Sequence, residues 1–216
     1  MTHSLNEISA LARKAARGAG MPWGLAEESA EATRWLCAHR LPGVECLASV
    51  LHDQDRAAWE ALCPVMARGV WSSRGTALCP IAAGASLSDR AAGLAGLAPL
   101  TLRSCRAPLM LLPFACETAR LSGHSIGLTT QQFAAVCTGH ALVLDGTFSP
   151  DRPPADVTLT CPAASRTGPP VPLTDRAAPD PAALDVLTGF AARLYAPETE
   201  ARRRDGAGAS GPGALS

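Results

Sequence analysis

Ala141-Leu142-Val143-Leu144-Asp145-Gly146 is an apolar run that ends in a turn signal, and Asp156-Val157-Thr158-Leu159-Thr160-Cys161 alternates apolar and polar residues. Alternation with a period of two is typical of a half-buried strand, and Asp-Gly after an apolar run is typical of a strand followed by a turn. We therefore predict two strands that pair with each other across a long, proline-bearing hairpin loop at 145–155. A third strand is predicted at 109–116, where Pro113 would force an edge position or a bend.

The N-terminal half shows the periodicity of helices instead. Ser4-Leu5-Asn6-Glu7 is a capping box, which predicts a helix that begins at Ser4 and ends at Gly18 and Gly20. Further helices are predicted at 22–39, 44–52 and 57–70, at 88–94 inside an otherwise irregular 71–100 segment, and at 182–194 after a proline-rich connection at 162–181.

These patterns together predict an α+β fold. A helical N-terminal half would pack on a small, mostly antiparallel sheet, and a C-terminal helix would close the structure. A chain of 216 residues is long enough for one well-buried core. We therefore predict a single domain at 1–197 and a flexible or partly ordered tail at 198–216.

Composition limits the classes of function. The formal net charge of zero removes the usual basis for binding nucleic acid or an anionic membrane. Residues 1–7 lack the apolar region of a secretion signal, and no run of about 20 apolar residues could span a membrane, so a cytoplasmic protein is predicted. The eight cysteines are then expected to be reduced and mostly buried. None has the spacing of a zinc site, so we expect no metal and no cofactor.

A glycine-bracketed turn joins the first two predicted helices. Gly18, Gly20 and Gly24 surround Trp23, and Arg17 lies just upstream. Backbone N–H groups at a helix N-terminus attract anions. We therefore predict a site for a carboxylate or phosphate at this turn, with Trp23 as one wall. The alternative is an ordinary turn between two helices that is plugged by a tryptophan.

Two further side chains are predicted to join this site. Glu28 lies in line with Ala32 and Trp35 at the edge of an apolar stripe, where burial would raise the pKa of its carboxyl group and suit a general acid or base. We therefore predict a catalytic role for Glu28. The alternatives are a first-turn glutamate favoured by the helix dipole and a buried partner of an arginine. Tyr195, the single tyrosine, would cap the same turn if the tail folds back.

Polar residues also interrupt the uncharged stretch between Arg120 and Asp145. Because buried polar groups need partners, His124 and His140 are expected to be hydrogen-bonded core residues. Cys116 is interpreted as an inert buried thiol. The alternative is a nucleophile with one of these histidines nearby.

The N-terminal segment resembles a known family. The run Ala15-Ala16-Arg17-Gly18-Ala19-Gly20-Met21-Pro22-Trp23-Gly24-Leu25-Ala26-Glu27-Glu28, followed by Thr33-Arg34-Trp35-Leu36 and Leu41-Pro42-Gly43, is similar to the uncharacterised bacterial family called domain of unknown function 3726. The segment Leu194-Tyr195-Ala196-Pro197 is similar to the family's C-terminal end. The resemblance implies one fold across most of the chain and brings no activity with it.

These observations favour recognition of a small anionic metabolite, with metal-free acid/base chemistry at Glu28. The alternative is an accessory or interaction subunit without catalysis of its own. In that case the Ala/Gly-rich helices would form an interface and the protein would be an oligomer. The first hypothesis predicts a ligand at the 18–24 turn, and the second predicts an exposed apolar patch larger than a few hundred Å². Whether the chain is an enzyme stays open at this point.

Overall fold

The computed structural model describes residues 1–149, 153–164 and 168–195. The predicted 198–216 tail and parts of the predicted 145–155 and 162–181 connections lie outside these ranges.

The helices are α1 (Leu5–Gly18), α2 (Trp23–Ala38), α3 (Gly43–Asp53), α4 (Trp59–Leu62), α5 (Pro80–Asp89), α6 (Leu94–Leu97), α7 (Leu112–Ser122) and α8 (Pro181–Ala192). The strands are β1 (His3–Ser4), β2 (Val65–Ala67), β3 (Val70–Ser72), β4 (Leu100–Cys105), β5 (Ile126–Thr129), β6 (Phe133–Cys137), β7 (Leu142–Gly146), β8 (Ala155–Thr160) and β9 (Arg176–Ala177). The predicted α+β fold and its closing C-terminal helix are confirmed.

Helix α1 begins where its capping box predicts. The Ser4 hydroxyl accepts a hydrogen bond from the Glu7 N–H at 3.2 Å, and the Glu7 carboxylate accepts one from the Ser4 N–H at 2.7 Å. Further along the helix, Ala12, Ala15 and Ala16 are fully buried. Their small side chains allow α2 and α8 to pack closely against α1.

The main sheet has seven strands in the order β2-β3-β4-β8-β5-β6-β7. Among the described strands, β3 and β4 are the one parallel pair, and the other neighbours are antiparallel. Strands β1 and β9 form a separate antiparallel pair. The strands predicted at 141–144 and 156–161 are confirmed as β7 and β8, although β7 continues through Asp145 and Gly146, where a turn was predicted. Their predicted pairing is wrong, because the unpredicted strands β5 and β6 lie between them.

The segment 109–116 is helical, and its predicted strand is wrong. A turn of 3₁₀ helix at Pro108–Leu111 leads directly into α7. Pro113 lies in the first turn of α7, where its missing N–H removes no intrahelical hydrogen bond. The proline that suggested an edge strand therefore starts a helix, which packs against α5, β5 and β6.

The segment 57–100 also differs from its prediction. The expected helix at 57–70 is confined to α4, and the hairpin β2–β3 follows it. Gly69 has a φ of +73°, a conformation that favours glycine and suits a tight hairpin turn. The expected irregular segment contains α5. Every residue from Pro80 to Gly84 is buried, and a helix buried on several sides has no single apolar stripe to recognise.

One hydrophobic cluster extends through the fold from Ile8 in α1 to Phe190 in α8. Strand β8 shows how the sheet contributes to this cluster. Val157 and Leu159 are buried, while Asp156, Thr158 and Thr160 are exposed. This is the alternation from which the strand was predicted. Within the described part of the chain, no helix is both long and apolar enough to cross a membrane.

Helix α8 lies so close to α1 that Gly18 has no room for a side chain. A Cβ atom at Gly18 would lie 1.8 Å from the carbonyl oxygen of Phe190. A Cβ atom at Gly24, in the first turn of α2, would meet no described atom within 4 Å. The first glycine is therefore required for packing, and the second is not.

We expect Gly18→Ala to lower the free energy of unfolding by about 1–3 kcal/mol, because its methyl group must displace the backbone of α8. Gly24→Ala is the matched control. It should be neutral or stabilise by up to about 1 kcal/mol, because alanine has the higher helix propensity. Urea unfolding of both variants measures the difference. Equal stability of the two variants would contradict the packing of α8 on α1.

Candidate functional site

Three helices surround a cleft with a volume of about 580 Å³. On each helix most of the lining residues recur every three or four positions, so they share one helical face. The lining consists of Glu28, Glu31, Ala32, Arg34 and Trp35 of α2, Ala85, Ser88 and Asp89 of α5, Pro113, Phe114, Cys116, Glu117, Arg120 and Leu121 of α7, and Gly139. We call this cleft the three-helix pocket.

Two aromatic rings form the apolar part of the three-helix pocket. Phe114 packs against α5 at Gly84, where a Cβ atom would lie 2.2 Å from the ring. Trp35 stacks on His39 with the ring centroids 3.6 Å apart, and the His39 Nδ1 atom lies 2.8 Å from the Trp35 carbonyl oxygen. Both rings are therefore held in place by neighbours within the protein.

Two of the carboxylates in the pocket have arginine partners on their own helices. Arg120 donates two hydrogen bonds to Glu117, at 2.8 Å from Nε and 2.6 Å from Nη2. These bonds hold the pKa of Glu117 below its usual range. Glu31 forms a looser ion pair with Arg34, at 3.9 Å. The pocket's arginines are therefore already engaged with carboxylates.

Glu28 and Asp89 are the carboxylates of the pocket that lack such partners. Neither has a hydrogen bond or an ion pair with any described residue. The hydroxyl oxygen of Ser88, next to Asp89, is buried and has no described hydrogen-bond partner either. Unpaired polar atoms thus face the cleft from both α2 and α5.

The pKa of Glu28 is raised above the usual value of a glutamate. The largest cause is partial removal of the carboxyl group from water, followed by repulsion from Asp89, Glu31, Glu117 and Glu27. This is the direction predicted from the position of Glu28 at the edge of the apolar stripe. The cause is more specific than predicted, because α5 and α7 bring carboxylates that the helical wheel of α2 does not contain.

The carboxylates of the pocket do not form a chelating set. Across residues 1–149, 153–164 and 168–195, no group of three or more His, Cys, Asp or Glu side chains is arranged to hold a metal ion.

Backbone amides of the turn between α1 and α2 donate hydrogen bonds to carbonyl groups of α1. The Gly20 N–H donates to the Arg17 carbonyl and the Met21 N–H to the Ala16 carbonyl, each at 3.0 Å. These bonds satisfy the C-terminal carbonyls of α1. Gly20 has a φ of +96°, which explains the glycine at this position. The donors left for an anion belong to the first turn of α2, which lacks a side-chain cap.

Arg17 and Trp23 lie side by side at this turn. The Arg17 guanidinium carbon is 5.7 Å from the centroid of the Trp23 ring, and its Nη1 atom donates to the Met21 carbonyl. Trp23 is 63 % exposed. Tyr195 is also exposed and lies beside Lys14, whose Nζ atom is 6.0 Å from the tyrosine ring centroid.

The structure divides the predicted site into two places. Glu28 lines the three-helix pocket, whose described lining includes none of Arg17, Gly18, Gly20, Trp23, Gly24 or Tyr195. Glu28 lies five residues after Trp23, about 140° around the axis of α2, and it lines the cleft with α5 and α7 rather than the α1–α2 turn. The catalytic role of Glu28 and the ligand-binding roles of the other six residues stay predictions.

A second groove, of about 630 Å³, lies between α2, α3 and the β1–β9 pair. Two of its charged side chains are hydrogen-bonded within the protein. Arg176 donates to the hydroxyl and carbonyl oxygens of Thr2 at 3.3 and 3.0 Å, and Glu45 accepts the Asp180 N–H at 2.7 Å. The three-helix pocket, with its unpaired Glu28 and Asp89, is the stronger candidate site.

Sequence analysis missed the contribution of α7 to this pocket. Cys116, Glu117 and Arg120 lie on one helical face, but the assignment of a strand to 109–116 hid that periodicity. Cys116 is only partly buried, and the expectation of a buried thiol is wrong in this respect. His124 and His140 are exposed, so their prediction as core residues is also wrong.

A match to a known family covers the N-terminal part of the chain, which contains the α1–α2 turn and α2 but not α5 or α7. Residues 3–77 match the model of the family described as protein of unknown function (DUF3726). The resemblance inferred from the N-terminal motifs is thereby confirmed for α1 to β3. No curated protein matches the chain. The match assigns no activity, so a function must be argued from the site.

The raised pKa of Glu28 predicts a pH-dependent stability. A carboxyl whose folded pKa is raised makes no unfavourable contribution below its unfolded pKa, and it destabilises the fold as the pH rises through its folded pKa. Glu28→Gln should therefore be more stable than the unsubstituted protein at pH 7. The gain should be at most about 1 kcal/mol, because the side chain is partly solvated, and it should disappear near pH 4.

Urea unfolding at the two pH values tests this expectation. The matched control is Glu27→Gln, which removes an ion pair with Arg13 at 3.5 Å and should bring no gain. A Glu28→Gln variant that loses stability at pH 7 would show that Glu28 has a favourable partner.

Proposed function

We propose that the three-helix pocket binds a small organic cation, a primary amine or a guanidine that carries an apolar or aromatic group. The observation that carries this proposal is Glu28, a partly desolvated carboxylate without a described partner, which faces Asp89 across the cleft. A bound cation would give both carboxylates a counter-charge and remove part of their mutual repulsion.

The charge and shape of the pocket support the same ligand class. Its lining has four carboxylates and two arginines, an excess of two negative charges when all are ionised. The volume of about 580 Å³ is within the range of small-molecule sites. Trp35 and Phe114 offer rings for an apolar group, and a cation over the face of Trp35 would gain a further attraction.

The acid/base chemistry predicted for Glu28 belongs to the same proposal. A raised pKa brings the titration of this carboxyl closer to neutral pH, where it could accept a proton from a bound ligand and return it. Binding is the primary claim, and proton transfer would follow only with a ligand that has a suitable acidic group near Glu28.

Two probes with the same aromatic ring and opposite charges test whether the pocket binds a cation or an anion. Phenethylamine, which is an ammonium ion at pH 7, should raise the melting temperature, and 3-phenylpropionate should not. At about 100 times its dissociation constant a ligand stabilises by roughly 2.7 kcal/mol, which thermal unfolding resolves. The opposite order of the two probes would overturn the proposal.

Two variants of equal net charge test whether the amine-dependent shift in melting temperature comes from binding in the pocket. Glu28→Gln should weaken the amine-dependent shift, because it removes a carboxylate that lines the pocket and has no described partner. Asp185→Asn changes an exposed residue of α8 that is outside the pocket lining, and its amine-dependent shift should be unchanged. An equal reduction in both variants would indicate attraction to the whole protein rather than binding in the pocket.

We keep binding of a small anionic metabolite as a second proposal, now at the α1–α2 turn alone. The specific support is the Arg17 guanidinium beside the exposed Trp23 ring, at the uncapped start of α2. A cationic group and helix N-terminal amides on one side of an aromatic ring are suited to a carboxylate or phosphate. Gly24 leaves the approach to these amides open.

Inorganic phosphate is the probe for this second site. It should raise the melting temperature of the unsubstituted protein and of Arg68→Ala, which removes an exposed arginine near the β2–β3 turn. Arg17→Ala should abolish the shift, and Glu28→Gln should leave it intact. An unchanged shift in Arg17→Ala would exclude the α1–α2 turn as the binding site.

The alternative of an interaction subunit stays a prediction. Its support is a set of exposed apolar side chains on α8 and just after it, namely Val186, Leu194 and Tyr195. Such residues would be covered if α8 formed a contact with a partner or a second copy of the chain. This hypothesis and ligand binding in the three-helix pocket do not exclude each other.

A further inference from the structure

The lining of the three-helix pocket includes one cysteine, Cys116, and a buried cysteine, Cys137, lies near it. Cys116 of α7 lines the pocket and is partly exposed. Cys137, at the end of β6, is fully buried. A side-chain hydrogen bond with Cys116 is the largest cause that raises the pKa of the Cys137 thiol, and neither cysteine is in a disulfide.

A contact between Cys137 and the backbone of α7 also places the buried sulfur next to the helical turn that precedes Cys116. The Cys137 Sγ atom lies 3.9 Å from the carbonyl oxygen of Leu112, which is one helical turn before Cys116. A side chain in a helix leans back over the turn that precedes it. The Cys116 side chain therefore extends toward the turn of α7 that Cys137 contacts from the sheet.

We propose that Cys116 and Cys137 form a redox-active pair that closes to a disulfide when a small neutral hydroperoxide enters the three-helix pocket. In this pair Cys116 is the thiol that meets the oxidant, and Cys137 is the thiol that resolves the product. The proposal does not rest on amine binding, because neither sulfur takes part in it.

The chemistry balances with hydrogen peroxide as the oxidant. The deprotonated Cys116 sulfur attacks one peroxide oxygen, the O–O bond breaks, and the departing hydroxide takes a proton to leave as water. The Cys137 sulfur then attacks the sulfenic sulfur of Cys116, and the S–O bond breaks while the Cys137 proton leaves with the oxygen as a second water. The two thiols lose two electrons and two protons, and one peroxide becomes two waters.

The surroundings determine which sulfur reacts first and which oxidants can enter. The hydrogen bond with Cys116 and burial both raise the pKa of Cys137, so its thiol is a poor first nucleophile. Around Cys116 lie Glu28, Asp89 and Glu117, with Arg120 bound to Glu117. This negative lining opposes anionic oxidants and admits a small neutral one.

The pair differs from Cys79 and Cys105, which are another two neighbouring thiols. Cys79 and Cys105 are both fully buried, so an oxidant cannot reach either of them without opening of the core. Cys161 is partly exposed, and burial raises the pKa of its thiol. Cys161 is therefore a further partly exposed thiol, and the test removes it.

Peptide mapping after peroxide treatment tests the proposal. Trypsin places Cys116 in the peptide 107–120, and because Arg152 precedes a proline, Cys137 falls in the peptide 121–166 together with Cys161. The experiment therefore uses the Cys161→Ser protein. Folded protein is treated with hydrogen peroxide, alkylated, digested without reductant and analysed by mass spectrometry.

We expect the free-thiol count to fall by two and the peptides 107–120 and 121–166 to be joined. A reductant should separate them. In Cys137→Ala the crosslink should be absent, and Cys116 should carry a sulfenic acid that dimedone traps. In Cys116→Ser, Cys137 should stay reduced. Circular dichroism of each variant before treatment confirms that it is folded.

Three results would overturn the proposal: oxidation of Cys116 without a crosslink in the Cys161→Ser protein, a crosslink that involves other cysteines, and an unmodified Cys116.

Glutathione disulfide, an anionic oxidant, tests whether the pocket favours neutral oxidants over anionic ones. It should crosslink the pair much more slowly than peroxide does, and equal rates would contradict the role assigned to the negative lining. Glu28→Gln should retain the peroxide-dependent crosslink even if amine binding fails.

Discussion

The contact between the Phe114 ring and the backbone of α5 at Gly84 determines how the three-helix pocket is built. Any side chain at position 84 would begin 2.2 Å from the ring and would force α5 away from α7. The close approach also places Ser88 and Asp89, about one turn further along α5, opposite the Glu117 side of α7. An apolar contact thus brings the charged faces of two helices into the same cleft.

The electrostatic character of the pocket follows from this packing. The Arg120 guanidinium is the partner of Glu117, whereas Glu28 on α2 has no described hydrogen-bond or ion-pair partner, and nearby carboxylates help to raise its pKa. Proteins concentrate unfavourable charge of this kind where a ligand compensates it, and perturbed carboxyl groups in clefts are therefore candidates for function. Beneath the same surface, Cys137 contacts the turn of α7 that precedes Cys116. One helix therefore connects the acidic lining to the thiol pair.

The parts of the fold with strong local signals were predictable from the sequence. The Ser4–Glu7 capping box located the start of α1, and the alternation in β8 located a strand. Local signals did not predict which strands pair, because β8 lies between β4 and β5 through contacts that are distant along the chain. Pro113 was misleading for a related reason: a proline fits both an edge strand and a first helical turn.

The sequence predicted a property of one residue of the candidate site, but it did not predict which residues lie together there. The position of Glu28 on the helical wheel indicated a perturbed carboxyl group, and its pKa is raised as expected. The grouping of Glu28 with Arg17 and Trp23 followed their proximity in sequence, whereas the pocket is assembled from α2, α5 and α7. No local pattern could show that Asp89 and Glu117 would face Glu28, because that depends on how three helices cross.

The most direct test of this account is the titration of the Glu28 carboxyl carbon by NMR, with the signal assigned by its loss in Glu28→Gln. The account predicts a midpoint above the ordinary value for glutamate, about 4.3, because burial and neighbouring carboxylates oppose ionisation. It also predicts that saturating phenethylamine lowers this midpoint, because a bound ammonium group favours the carboxylate. A midpoint at or below the ordinary value, unmoved by the amine, would contradict the central claim that Glu28 is an uncompensated charge in a ligand-binding cleft.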